Sequence, residues 1–224
     1  MEEYKIEVED RKINHETVRV LLVNGKEQSV SYINSKKNEL IYQYNIDIVK
    51  IMKENDSSNT LLIGGGGFSI PKYYISHFKE GNMDVIEKNE EIYDIAKRDF
   101  FLSELVDEYQ TDKNGRLKVY VVDAKEYLKK TDKKYNIIVN DAYDGGEMVT
   151  ELLTEESIKI ISNHLVNGGL YIINLFSALT GYKRKIWNEE EQLLSKYFSK
   201  TSIKQVDLSL PKEHRQNCIV VAKK

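Results

Sequence analysis

Asn59-Thr60-Leu61-Leu62-Ile63-Gly64-Gly65-Gly66-Gly67-Phe68-Ser69-Ile70-Pro71, then an amphipathic run and Met83-Asp84-Val85-Ile86-Glu87, is the stretch whose reading decides the fold. Thr60 to Ile63 is a short apolar run of the kind buried on both faces of a parallel sheet, and the glycines let the backbone turn where a β-carbon would clash. Pro71 fixes φ near the first turn of the next helix, whose free N–H groups are expected to face an anionic or strongly polar group. Glu87 ends the second strand about twenty residues beyond the glycines, where nucleotide-binding α/β folds place an acid on the ribose hydroxyls. Strand, glycines, helix, strand and acid come in the order a nucleoside site needs; the plain alternative is a flexible glycine loop. Ser69 and Ile70 occupy the region of a dinucleotide motif's third glycine, and no G-K-[ST] is present. A single nucleoside with a charged tail therefore fits better than a pyrophosphate, and an NAD-dependent dehydrogenase is the weaker competitor.

Upstream, Tyr4 to Val8 and Thr17 to Val23 read as extended, and Asn24-Gly25 is a hairpin turn with Glu27 to Ile33 as its return arm. Residues 1–37 thus form a small N-terminal hairpin unit and 38–224 the main domain. Asn38 is expected to cap a helix over Glu39 to Lys53. Downstream, helices over Lys72 to Lys79, Glu90 to Leu105, Ala124 to Lys130, Glu155 to Leu165 and Ile186 to Phe198 alternate with strands over Leu117 to Val122, Tyr135 to Val139 and Leu170 to Phe176. Asn167-Gly168-Gly169 is read as closing the fourth of these helices. Ile203 to Leu208 and Cys218 to Ala222 add an antiparallel edge hairpin. The pattern predicts a Rossmann-like α/β fold: a mostly parallel seven-stranded sheet with helices on both faces.

The 224 residues suit one such domain with a small appendage, and a net charge of −3 with mixed signs lacks the basic footprint of a nucleic-acid binder. A single cysteine, Cys218, in an apolar run points to a reducing cytoplasm, and neither a membrane span nor a basic leader is read in the chain, which starts Met1-Glu2-Glu3. The histidines His15, His77, His164 and His214 share no ligand spacing, so no metal is expected. Trp187 and the tyrosines at helical spacing read as packing. The hairpin unit is too small to bury its own apolar face, which predicts a homodimer.

Ligands of open α/β sheets sit beyond the carboxyl ends of the strands, and four successive strands here finish on Gly64, Glu87, Asp123 and Asn140-Asp141. Asp123 alone also reads as a helix cap. Asp141 and Asp144, flanking Ala142 and Tyr143, put two carboxylates on one loop, a pair that can hold a cationic substrate and accept its proton; an Asx turn into Gly145-Gly146 is the plainer reading. Tyr143, between the acids, is a candidate pocket wall.

The glycine loop with Glu87, the Val122-Asp123-Ala124 step, the Asn140-Asp141-Ala142-Tyr143-Asp144 loop, and the hairpin followed by Tyr42-Gln43 resemble the spermidine synthase family over nearly the whole chain, from about Val18 to Val221. The resemblance implies aminopropyltransferases built on the class I S-adenosylmethionine-dependent methyltransferase fold, usually dimeric. It implies that Gly64, Gly65, Gly66 and Glu87 hold the methionine tail and ribose of decarboxylated S-adenosylmethionine, and that Asp123 and Ala124 read its adenine. Asp141 is then the acid-base residue that deprotonates the attacking amine, and Asp144 anchors that acceptor. Gln28, Tyr42 and Gln43 fall where the family builds its donor and acceptor pockets, and Asn217 also falls in a family-like position. Gly67 stands where polyamine-making members carry an aspartate, Ile48 replaces a histidine, and the gating segment is shortened to Ala142 to Glu147. A pocket with one anion fewer also admits the intact donor, so methyl transfer to a small acceptor stays open, as does a nucleoside-binding scaffold without catalysis.

Overall fold

The computed structural model describes residues 5–224. Tyr4, with which the first expected strand opens, and Met1-Glu2-Glu3 lie outside the described residues. Three antiparallel strands come first, β1 (Ile6–Ile13), β2 (Glu16–Val23) and β3 (Lys26–Tyr32), with the expected Asn24-Gly25 turn between the last two. The expected strand ends at Val8, ahead of the charged run Glu9 to Lys12; pairing with β2 carries it on to Ile13. Then follow α1 (Gln43–Lys53), β4 (Asn59–Ile63), α2 (Ser69–His77), β5 (Asn82–Glu87), α3 (Glu90–Asp99), α4 (Leu102–Tyr109), α5 (Thr111–Asn114), β6 (Leu117–Val121), α6 (Ala124–Lys130) and β7 (Tyr135–Asn140). A two-strand flap, β8 (Tyr143–Asp144) and β9 (Glu147–Met148), precedes α7 (Glu155–His164), β10 (Leu165–Ser177), α8 (Lys185–Leu194), β11 (Lys200–Gln205) and β12 (Gln216–Lys223).

The main sheet has seven strands in the order β11-β12-β10-β7-β4-β5-β6, and β12 runs antiparallel to both of its neighbours while the other adjacent pairs are parallel. The order reverses at β4, so the carboxyl ends of β4, β5 and β7 open one crevice. Leu61, Ile63, Ile138 and Tyr171 pack one face against α6, α7 and α8, with Trp187 in that core; Leu62, Val85, Ile137 and Val139 pack the other against α1, α2 and α4. Both faces are covered, which is why these strands read as continuous apolar runs. Among the described residues no helix is long and apolar enough to cross a membrane.

The boundaries differ from expectation where tertiary ties override local signals. The first helix begins at Gln43, not Glu39, and Asn38 does not cap it. Lys72, 1% exposed on α2, donates from Nζ to Ser31 Oγ and to the Lys37 carbonyl, each at 2.8 Å, and holds residues 34–39 in turns. The helix expected over Glu90 to Leu105 breaks at Phe101, whose φ of 64° is left-handed. Phe100 is buried against Leu21, Val23 and Ile95, whereas Leu102 and Leu105 join the main core; one straight helix cannot serve both. Gly168 and Gly169 do not end a helix but carry a register irregularity between Leu165 and Leu170 of β10.

The reason for expecting a homodimer also fails. Leu21 and Val23 of β2 pack on α3, and Val18, Val20 and Leu22 are covered by Val30, Tyr32, Ile41 and Tyr42 of the same chain.

Candidate active site

At the crevice Gly64 (φ +95°) passes so close to the β7 loop that a β-carbon on it would lie 2.4 Å from the Asp141 carbonyl oxygen. The loop's four N–H groups are all engaged: Gly64 to the Ile86 carbonyl (2.9 Å), Gly65 and Gly66 to Glu87 Oε2 (3.0 Å each), and Gly67 to Ser29 Oγ (2.7 Å). The chain thus supplies its own acceptors to the glycine loop. Glu87, 7% exposed, also accepts from the Asn89 N–H at 2.9 Å through Oε1. Ser29 Cβ and the Phe100 ring fill the space beyond Gly67, and a β-carbon there would meet them at 2.8 and 2.9 Å.

Two lobes share Gly64, Glu87, Ile92 and Tyr143 as their common wall. The first, about 430 Å³, adds Ile86, Asp123, Ala124, Asp144 and Leu152; the second, about 370 Å³, adds Glu27, Gln28, Tyr42, Tyr44, Asp141, Asn174 and Asn217. Both volumes suit a small organic ligand. Asp123 is the N-cap of α6, accepting from the N–H groups of Lys125 (2.9 Å) and Glu126 (3.2 Å), and still faces the first lobe.

Asp141 has its backbone tied to the Ile63 carbonyl (2.9 Å) and its Oδ1 accepts from Asn174 Nδ2 at 2.8 Å. Burial pushes its carboxyl up to about 7, and the Asn174 hydrogen bond opposes that rise. Asn174, 2% exposed, accepts in turn from Asn217 Nδ2 at 2.9 Å, and Tyr143 Oη donates to its carbonyl at 3.0 Å. Tyr42 Oη donates to Glu27 Oε2 at 2.9 Å on the rim of the second lobe. The Gln28 Nε2, buried on that wall, has no hydrogen-bond partner among the described residues.

Of the residues singled out in the sequence, Gln28, Tyr42, Gly64, Gly65, Gly66, Glu87, Asp123, Ala124, Asp141 and Tyr143 line this cleft. Two sit elsewhere than expected. Asp144 does not join Asp141: the extended flap alternates its side chains, Tyr143 turning to Asn174 and Asp144 to the first lobe. Gln43 bonds Asp47 Oδ1 (3.1 Å) along its own helix and is not among the walls of either lobe. Ser29, Tyr44 and Asn174 also line the cleft without a strong local signal in the sequence, except that an amide inside the apolar run Leu170 to Phe176 marks a buried polar group that needs a partner.

Sheet order, glycine turn and strand-end acids define a Rossmann-like protein of the class I methyltransferase type with a nucleoside-sized cleft. The sequence matches the spermine/spermidine synthase domain over residues 39–218, and the chain belongs to that family. It is 26% identical over 172 residues to a polyamine aminopropyltransferase of Vibrio vulnificus, covering 73% of this chain and 54% of that one, and 28% identical over 153 residues to one of Prochlorococcus marinus, covering 68% and 51%. The chain spans about half the length of the curated relatives it matches. The fold is that of a probable spermidine synthase from Corynebacterium glutamicum (TM-score 0.79, 18% identity, 98% of this chain and 78% of that one). A human methyltransferase-like protein 13 in complex with SAH shares it as well (TM-score 0.65, 16% identity, 81% and 82%).

Proposed function

We propose that the chain is an aminopropyltransferase that moves an aminopropyl group from decarboxylated S-adenosylmethionine to a small amine. The charge of the second lobe carries this reading. Glu87 and Asp141 line it together with Glu27, which is ion-paired with Arg11, and among the described residues no lysine or arginine is in its walls. With every glycine-loop N–H already engaged, the carboxylate of intact S-adenosylmethionine would meet Glu87 and Asp141 with no cation and only neutral donors such as the Gln28 amide, whereas a tail ending in an ammonium alone is matched. The same argument weighs against methyl transfer from the intact donor, even with Gly67 in place of the family's aspartate.

In this reading Asp123 and Ala124 take the adenine, Glu87 the ribose, and Gln28 with the Gly64–Gly66 turn the donor tail. Tyr42, Tyr143 and Glu27 shape the amine's lobe; Asp144 belongs to the donor side, and Gln43 acts only through its own helix. The sulfonium donor supplies the leaving group: the carbon–sulfur bond breaks toward sulfur as the amine nitrogen bonds that carbon, releasing neutral methylthioadenosine. Asp141 takes the proton of the attacking ammonium, a task for which an acid held near neutrality is suited. Glu87 and Asp123 orient the donor so that the two reactants meet in line. The reaction is placed in the cytoplasm, in keeping with the lone buried Cys218. A homodimer rests now on the family resemblance alone, and sedimentation at micromolar concentration decides it.

The test is methylthioadenosine release with decarboxylated donor and a panel of amines, alongside calorimetry with both donors. Turnover with tighter binding of the decarboxylated donor is expected. Tighter binding of intact S-adenosylmethionine, or no release with any amine, overturns the reading.

A further inference from the structure

Strand β12 is the antiparallel insertion in an otherwise parallel sheet, and it reaches the proposed active site through one side chain. In the β10–β12 register Asn174 lies opposite Ile219 and Phe176 opposite Asn217. Asn217 is therefore the diagonal, same-face neighbour of Asn174, within side-chain reach. The result is a three-residue chain: Asn217 Nδ2 donates to Asn174 Oδ1 (2.9 Å), and Asn174 Nδ2 donates to Asp141 Oδ1 (2.8 Å). We propose that Asn174 and Asn217 are positioning residues, an amide relay through which the last strand fixes the Asp141 carboxylate as the proton acceptor.

The inference builds on the reading of Asp141 as that acceptor. A side-chain amide has two faces, and only one is useful to a carboxylate. Turned over, Asn174 would set its own oxygen against Asp141 Oδ1 and its NH₂ against that of Asn217. Asn217 thereby selects the orientation in which Asn174 donates to the acid. Asn174 is 2% exposed, so water does not readily replace either partner, and the Tyr143 hydroxyl on its carbonyl holds the strand in place.

The relay has an electrical consequence. The titratable groups facing Asp141 are Tyr44 from α1 and Tyr143 from the flap, with Tyr42, Glu87 and the Arg11-paired Glu27 on the same lobe; Arg215, just before the last strand, and Cys218 within it act on Tyr143. Burial raises the phenols of Tyr44 and Tyr143, so neither is an anion near neutral pH. No cation therefore stabilises the Asp141 carboxylate from these elements, and the Asn174 N–H is the group that favours its ionised form.

The experiment is a pH titration of Asn217→Ala, Asn217→Gln and Asn174→Ala in the intact protein. It follows kcat/KM and, independently, the carboxyl ¹³C signal of Asp141 in aspartate-labelled protein, assigned with Asp141→Asn. Loss of the relay is expected to move the acidic limb and the ¹³C midpoint upward by about one pH unit. At pH 7 that shift corresponds to roughly a five-fold fall in the ionised fraction, and the deficit narrows as pH rises. The alanine at 217 should show the shift even where the one at 174 folds poorly, and glutamine at 217 should restore part of it. An unmoved ¹³C midpoint in Asn217→Ala, or a rate loss equal at every pH, overturns the relay. A wild type without turnover defeats the proposed function instead, and the ¹³C titration then still decides whether the amides set the acid.

Discussion

The two lobes of the cleft share a wall but hold their acids in different ways. On the donor side Glu87 accepts three backbone N–H groups and Asp123 caps a helix through two more. On the amine side Asp141 meets one side-chain amide, itself held by another. A carboxylate bound by several main-chain donors is part of the scaffold, and removing it releases turns and helix ends. One that is desolvated and bound once is available for proton transfer at little structural cost. The same residue type is thus divided between architecture and chemistry by what its lone pairs meet.

The largest expected effect breaks this contrast if it fails. Asp141→Asn should lower turnover by about 10²- to 10⁴-fold, the usual span for a lost general base. It should not destabilise the fold at neutral pH. Burial raises the Asp141 carboxyl from 3.8 to about 7, so between those values the native chain binds more protons than the unfolded one, and wild-type stability falls as pH rises through that window. Melting curves at several pH values from 4 to 8 should show the asparagine variant gaining on wild type across the window and holding its lead above it. A constant difference would mean that the acid is not desolvated.

Glu87→Ala should behave oppositely, losing about 3 kcal/mol of stability in urea, because three hydrogen bonds to a charged acceptor go and the Gly65 and Gly66 N–H groups lose their partner. An unchanged midpoint would show that the donor lobe does not rely on this acid as scaffold. Gly67→Asp comes next, at about 1–3 kcal/mol, since its β-carbon would press on Ser29 and Phe100. A stable variant with faster transfer would show that the family's missing carboxylate fits after all, and would shift the charge argument toward the tail.

What was legible in the sequence was whatever depended on neighbours along the chain. Thr60 to Ile63 announced a doubly covered strand, Asn24-Gly25 a hairpin, and Glu87 and Asp141 a strand end, because apolar runs and turn residues act locally. What stayed hidden came from contacts between distant segments. Lys72 reaching back to Ser31 and Lys37 displaces the start of α1, and Phe100 turning to Leu21 breaks a helix whose periodicity was otherwise intact. In the site, the separation of Asp144 from Asp141 follows from two residues of extended flap that read equally well as a turn. The commitment of the glycine N–H groups is likewise a matter of Ser29 and Glu87 arriving from elsewhere.

Asp123 gives the smallest effect and the sharpest division, because it caps α6 and also lines the donor lobe. Asp123→Ala removes the acceptor of the Lys125 and Glu126 N–H groups and should cost about 1 kcal/mol. Asp123→Ser keeps an oxygen at the cap, so its stability should stay within a few tenths of a kcal/mol of wild type. The serine lacks the second carboxylate oxygen that the helix does not use, and this is the part that a bound adenine would meet. If Asp123 does both jobs, calorimetry should find donor affinity reduced in both variants while only alanine lowers the melting temperature. Affinity lost in alanine alone would make the residue a cap whose effect on the ligand runs through the helix, leaving nucleoside contact to the other acids of that lobe, Glu87 first among them.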